Sequence, residues 1–168
     1  MATRADLIGI KEAIQNILTS ANTTTASPID LSANLSNSKR VQQVLKVHPG
    51  MIRIQASLYP LVTCYISGKP IVSQDIAATH LQAQRRARVS LNVVGSIWNT
   101  NIVSIDEDPA DEDIGYLMEN IELALRGNPT FNDTVKWQMP SECKYYITPM
   151  EKTHLRSGIL SYDCEVFY

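Results

Sequence analysis

The stretch from Gln84 to Trp98 alternates between apolar and polar residues over a length that few local structures can satisfy. Ala87, Val89, Leu91 and Val93 fall on one side, and Arg86, Arg88, Ser90 and Asn92 on the other. Side chains along a strand point to opposite faces in turn, so this pattern predicts a strand with one buried face and one wet face. The extended segment can begin as early as Thr79. Strands usually run about 5–6 residues, so part of it would then project beyond a compact domain as a β-hairpin arm. The unpaired edges of such an arm are places where strands add across subunits.

The chain closes on a second alternating strand. Leu160, Tyr162, Cys164, Val166 and Tyr168 share one face, with Ser161, Asp163, Glu165 and Phe167 on the other. Two amphipathic helices accompany these strands. In residues 6–20, Leu7, Ile10, Ile14, Ile17 and Leu18 recur at helical spacing behind Asp6 as N-cap. The second helix has Asp108 as N-cap and Pro109 at the first helical position. Ile114, Leu117, Met118, Ile121 and Leu125 make its buried stripe, Arg126 lies in its last turn, and Gly127 and Pro129 end it. Shorter extended pieces are expected at Met51–Ser57, Leu61–Ser67, Thr134–Gln138 and Lys144–Ile147, and residues 41–47 fit a short helix or a strand equally well. Residues 19–40, rich in Ser, Thr and Asn, read as a long polar connection: a surface loop, or a segment that orders against a neighbouring subunit. The order of elements predicts an α+β fold in one domain spanning residues 1–168: a mostly antiparallel mixed sheet with two main helices packed on one face.

Composition narrows the function. A formal net charge of −2 over 168 residues is not that of an electrostatic nucleic-acid binder, and sequence-specific nucleic-acid recognition is not expected. No stretch reaches the roughly 18 apolar residues of a membrane span, and residues 1–18 lack the apolar run of a signal peptide. Synthesis in a host cytoplasm is therefore expected. Cys64, Cys143 and Cys164 are far apart and form no CxxC pair, so free thiols are expected. His48, His80 and His154 are isolated from one another and from cysteine or carboxylate pairs at metal-ligand spacing. Phosphate-binding glycine loops and nucleophile-elbow motifs are absent. The expectation is a non-enzyme with no cofactor and no metal.

Two charge clusters stand out. Arg85, Arg86 and Arg88 form the tight basic group, with Arg86 and Arg88 on the wet face of the long strand. Asp106, Glu107, Asp108, Asp111, Glu112 and Asp113 surround the start of the second helix, where their charge suits the helix dipole. Arg85, Arg86 and Arg88, together with Asp111, Glu112 and Asp113, are opposite in sign and exposed by periodicity. They are the candidate subunit-interface residues, read against solvated faces as the plainer alternative.

The segment DPADEDIGYLMENIELALRGNPTF (108–131) and the closing LRSGILSYDCEVFY (155–168) resemble the tail terminator, or tail completion, proteins of tailed bacteriophages. The closing strand has that family's form G-x-L-x-Y-x-x-x-V-x-Y, here Gly158, Leu160, Tyr162, Val166 and Tyr168. The resemblance covers the C-terminal half by pattern and the whole chain by element order, with residues 19–57 less typical. It implies a virion protein that forms a six-fold homo-oligomeric ring on the head-proximal end of the tail tube. Such a ring stops tube polymerisation and offers a surface to the head-completion or neck protein, and to the sheath where the tail is contractile. A tube grows by repeating one heterologous contact, and a ring that satisfies one side of that contact ends growth. Two alternatives stay open: a head-completion, neck or minor tail protein, and a small cytoplasmic enzyme or ligand-binding domain, which would need a pocket of converging polar groups.

Overall fold

A computed structural model describes residues 6–22, 30–35, 40–68, 86–99, 109–150 and 153–167. Asp108 and Tyr168 lie outside these residues, as do Arg85 and the segment in which the arm was expected.

The fold is α+β. Five strands form one mixed sheet in the order β1-β2-β3-β5-β4, comprising β1 (Gln43–Leu45), β2 (Leu61–Gly68), β3 (Arg86–Asn99), β4 (Trp137–Pro149) and β5 (His154–Phe167). β1 runs parallel to β2, and every other pairing is antiparallel. Helices α1 (Leu7–Ala21) and α2 (Pro109–Arg126) pack on the same sheet face. α1 starts at the predicted cap, where the Asp6 carboxylate accepts a hydrogen bond from the Gly9 N–H at 2.8 Å.

β3 and β5, whose alternation is cleanest in the sequence, lie at the middle of the sheet and pair along their full length, from Arg86↔Phe167 to Asn99↔His154. Ala87, Val89, Leu91 and Val93 meet Leu160, Tyr162, Cys164 and Val166 on the helix-covered face, and all eight are buried. α2 approaches this face over a glycine pair, Gly95 opposite Gly158. An added Cβ at Gly95 would lie 2.9 Å from Met118 Sδ, and one at Gly158 would lie 2.7 Å from the same atom. The absence of both side chains lets the helix sit close.

The other face is polar along most of its length. Asn92 donates to the Tyr65 hydroxyl (3.0 Å) and accepts from Ser161 (2.9 Å), which joins β2, β3 and β5 in one row. Ser96 and Ser157 form a second rung at 2.9 Å. At one end this face carries a small second core. There Tyr59, Leu61 and Leu155 are buried together with the partly covered Leu45, Ile52, Leu58 and Trp98.

Several expectations need correction. Met51–Ser57 is not a strand: single-turn 3₁₀ helices occupy Pro49–Met51 and Ala56–Leu58, and between them Ile52 and Gln55 are extended while no described strand pairs with residues 52–55. Pro49 at the first position and the His48 ring, which accepts from the Gly50 N–H at 3.1 Å, start the first turn. Lys144–Ile147 lies within β4, which also takes in Trp137 and Gln138, whereas Thr134, Val135 and Lys136 belong to the turn before it. The strand's continuity is hidden in the sequence by a bulge between Pro140 and Glu142. The described part of the polar connection belongs to the chain's own core: Leu31 and Leu35 are buried, and Asn120 on α2 donates to the Leu31 and Ala33 carbonyls at 3.2 and 2.9 Å. α2 ends after Arg126, yet Gly127 is not left-handed. Left-handed conformation falls instead on Phe131, Asn132 and Asp133 (φ 45°, 55° and 64°). Burial of Phe131 edge-on to Tyr162, with ring centroids 6.0 Å apart, holds that turn.

Candidate assembly surface

The two sheet edges differ in kind. At one edge β1 is three residues long, and Gln15 of α1 donates its side-chain amide to the Val44 carbonyl at 2.8 Å. A second tie from the same helix, Lys46 to Glu12 at 2.5 Å, closes that edge further. At the other edge β4 is 13 residues long, and no described strand pairs with its outer side. Long exposed edges are sites of strand addition unless they are blunted. The N-terminal half of β4 is blunted by Pro140 and the bulge after it; the half beyond Ser141 carries neither device until Pro149.

The phase of that open half can be worked out. The Met150 N–H donates to the Thr153 carbonyl at 2.8 Å, so these opposed residues share a hydrogen-bonded position next to the hairpin turn. Hydrogen-bonded and non-hydrogen-bonded pairs alternate along an antiparallel ladder. With Thr148 opposite Leu155 and Glu142 opposite Ser161, residues 148, 146, 144 and 142 turn their backbone groups toward β5. Cys143, Tyr145 and Ile147 turn theirs outward.

The same three residues point their side chains to the helix side of the sheet, as their partners Leu160, Gly158 and Arg156 show. Tyr145 is 54% exposed and Ile147 56%. α2 runs alongside: Gln138 donates to the Leu125 carbonyl at 3.2 Å, and Arg156 lies 3.6 Å from Asp111. Burial raises the Tyr145 pKa to about 12, helped by a hydrogen bond with Cys143 and by the Glu119 and Glu122 carboxylates of α2. The open edge carries charges of both signs: Lys144 pairs with Glu142 on the strand itself at 2.7 Å, Glu122 of α2 pairs with Arg126, and Glu119 of α2 is exposed. Met139 and Tyr146 leave further exposed apolar surface on the opposite face of β4.

A second exposed apolar surface lies in the connection from β1 to β2, the strands of the other edge. Met51 is 82% exposed and Ile54 46%, with Arg53 exposed between them.

The candidate interface residues fare unequally. Arg88 is exposed, but its guanidinium is held by Asp163 of β5 at 2.6 Å, and Ser90 donates to the same carboxylate at 2.8 Å. Arg86 begins β3 opposite Phe167, and Arg85 lies outside the described residues. Asp111 and Glu112 are exposed at the start of α2, with Asp111 near Arg156. Asp113 is not exposed as its periodicity implied: it is 2% accessible. α2 is covered by α1 and residues 30–35 as well as by the sheet, so its buried arc is wider than the apolar stripe alone. Among the described residues, Arg88 is paired with Asp163 and Asp111 with Arg156, not with one another. The sequence does not single out the edge of β4 or residues 51–54 as an assembly surface, because exposed Met, Ile and Tyr there look like ordinary strand content.

Among the described residues, no group of three or more His, Cys, Asp or Glu side chains has the arrangement of a metal site. Cys64 and Cys164 are buried, and burial pushes their thiols up to about 11 and about 12, while Cys143 is exposed. No described helix is long and apolar enough to cross a membrane. Comparison with protein-family models gives no match, and comparison with curated proteins gives none either.

Proposed function

We propose that the chain is a structural virion protein, a tail terminator that forms a ring on the head-proximal end of a phage tail tube. The ring stops polymerisation and presents its far side to the head-completion or neck protein. The observation that carries this reading is the open half of β4, an edge strand with outward backbone groups and exposed Tyr and Ile side chains, in a sheet whose other edge is closed by Gln15. Such an edge leaves main-chain hydrogen bonds to be completed by another chain. Ending a tube calls for interfaces and no bond-making chemistry. The resemblance of residues 108–131 and 155–168 to tail terminators supports the same reading.

Removal of the gene tests it. Particles made without the chain should have overlong tails or tails without heads. Tails of normal length that join heads would refute the proposal, and tails of normal length that fail to join heads would favour the neck-protein alternative.

A further inference from the structure

We infer that the outer edge of β4 in one copy receives the extended segment 52–55 of the next copy, and that this head-to-tail contact builds the ring. The inference rests on the ring reading above and adds the surface and the partner.

Three features fit the two pieces together. The first is backbone. Ile52 (φ −97°, ψ 129°) and Gln55 (φ −140°, ψ 128°) are already extended. None of the backbone hydrogen bonds among the described residues uses the N–H of Arg53 or Ile54. A four-residue strand spans about 13 Å, enough to face the outward groups of Cys143, Tyr145 and Ile147. The second feature is apolar surface: Met51 and Ile54 are exposed on one side of the contact, and Tyr145 and Ile147 on the other. The third is charge. Arg53 would enter beside α2, whose Glu119 is exposed, whereas Glu122 is already paired with Arg126.

The competing self-contacts are weaker. Two β4 edges paired about a two-fold axis would leave the exposed Met51, Arg53 and Ile54 uncovered. β1 cannot serve as the acceptor edge, because Gln15 occupies its Val44 carbonyl. Joining β4 to the 52–55 segment uses different surfaces on each copy. Such a contact is heterologous and closes into a ring when its rotation does.

Cross-linking tests the contact on the full chain. Cys143 is the exposed native cysteine, and Cys64 and Cys164 are buried and slow to react. An Ile54→Cys variant treated with a short bis-maleimide should give a ladder of dimer, trimer and higher species on a denaturing gel. Adding Cys143→Ser should abolish it. Ile54 is half-exposed, so its replacement leaves the core intact. Arg53→Glu should weaken ring assembly by roughly three- to tenfold, and Glu119→Arg in the same chain should restore it. A variant that stops at dimer, or a cross-linked dimer of the parent chain formed through Cys143 alone, overturns the contact in favour of a two-fold edge. Rings of the parent chain seen by electron microscopy, with no ladder from the variant, overturn the contact and leave the ring reading standing. A parent chain that forms no ring, free or on tubes, overturns both.

Discussion

Gly158→Ala probes the packing that seats α2 on the sheet. Gly158 lies opposite Gly95, and its added Cβ would come 2.7 Å from Met118 Sδ and closer still to Met118 Cγ. Cγ is near the root of the side chain, so rotation at the end of Met118 cannot clear it. Overpacking a well-filled core costs typically about 1–3 kcal/mol. Replacing glycine by alanine returns about 0.4–1 kcal/mol through the unfolded chain where the backbone accepts it. The net loss should be about 1–2 kcal/mol. For a chain of this size each kcal/mol moves Tm by about 2–4 °C, so the variant should melt about 2–8 °C lower. Urea unfolding followed by tryptophan fluorescence should show a lower midpoint with an unchanged slope. Gly95→Ala should cost less, because its two nearest contacts, Met118 Sδ at 2.9 Å and Leu117 Cδ2 at 3.0 Å, are toward the ends of side chains, and Leu117 Cγ is farther at 3.3 Å. On a Met118→Ala background the Gly158→Ala cost should shrink, a coupling of at least about 1 kcal/mol. A Gly158→Ala chain as stable as its parent, or a double variant with additive effects, would refute this account of the helix–sheet contact.

Other consequences are simpler to measure. The buried Cys64 thiol is raised from 9.0 to about 11, so its stabilising effect is complete below pH 9 and is lost as pH rises through 11; about 2 kcal/mol should go by pH 11, and Cys64→Val should lose less over that range. A thiol reagent should modify Cys143 at once in the folded chain, and Cys64 and Cys164 only on unfolding. Arg88→Glu should lower stability by less than about 1 kcal/mol, because it breaks an exposed pair with Asp163 inside the chain. Phe131→Ala should cost about 3–5 kcal/mol in the same unfolding assay, since it empties the anchor of a left-handed turn.

The elements that declare themselves in the sequence are those with one covered face. β3 and β5 alternate because only one side of them meets the helices, and α1 and α2 carry stripes for the same reason. β4 is exposed along nearly its whole length, so nothing forces alternation on it, and Pro140 with its bulge divides it further. The polar connection hid Leu31 and Leu35, since two buried leucines among Ser and Asn give no period. The surface relevant to assembly was illegible for a related reason. An exposed tyrosine or isoleucine has the same letter as a buried one, and its exposure depends on which strand lies at the sheet edge. Asp113 shows the converse: a charged residue beside an acidic run reads as solvated, yet in the fold it is 2% accessible.

A ring of this kind must cap a growing tube. Purified chain mixed with tail tubes during polymerisation, and viewed by electron microscopy, tests it most directly. A six-fold ring at the head-proximal end of each tube, with growth arrested there, is the expected result. Tubes that keep lengthening with the chain absent from their ends would contradict it.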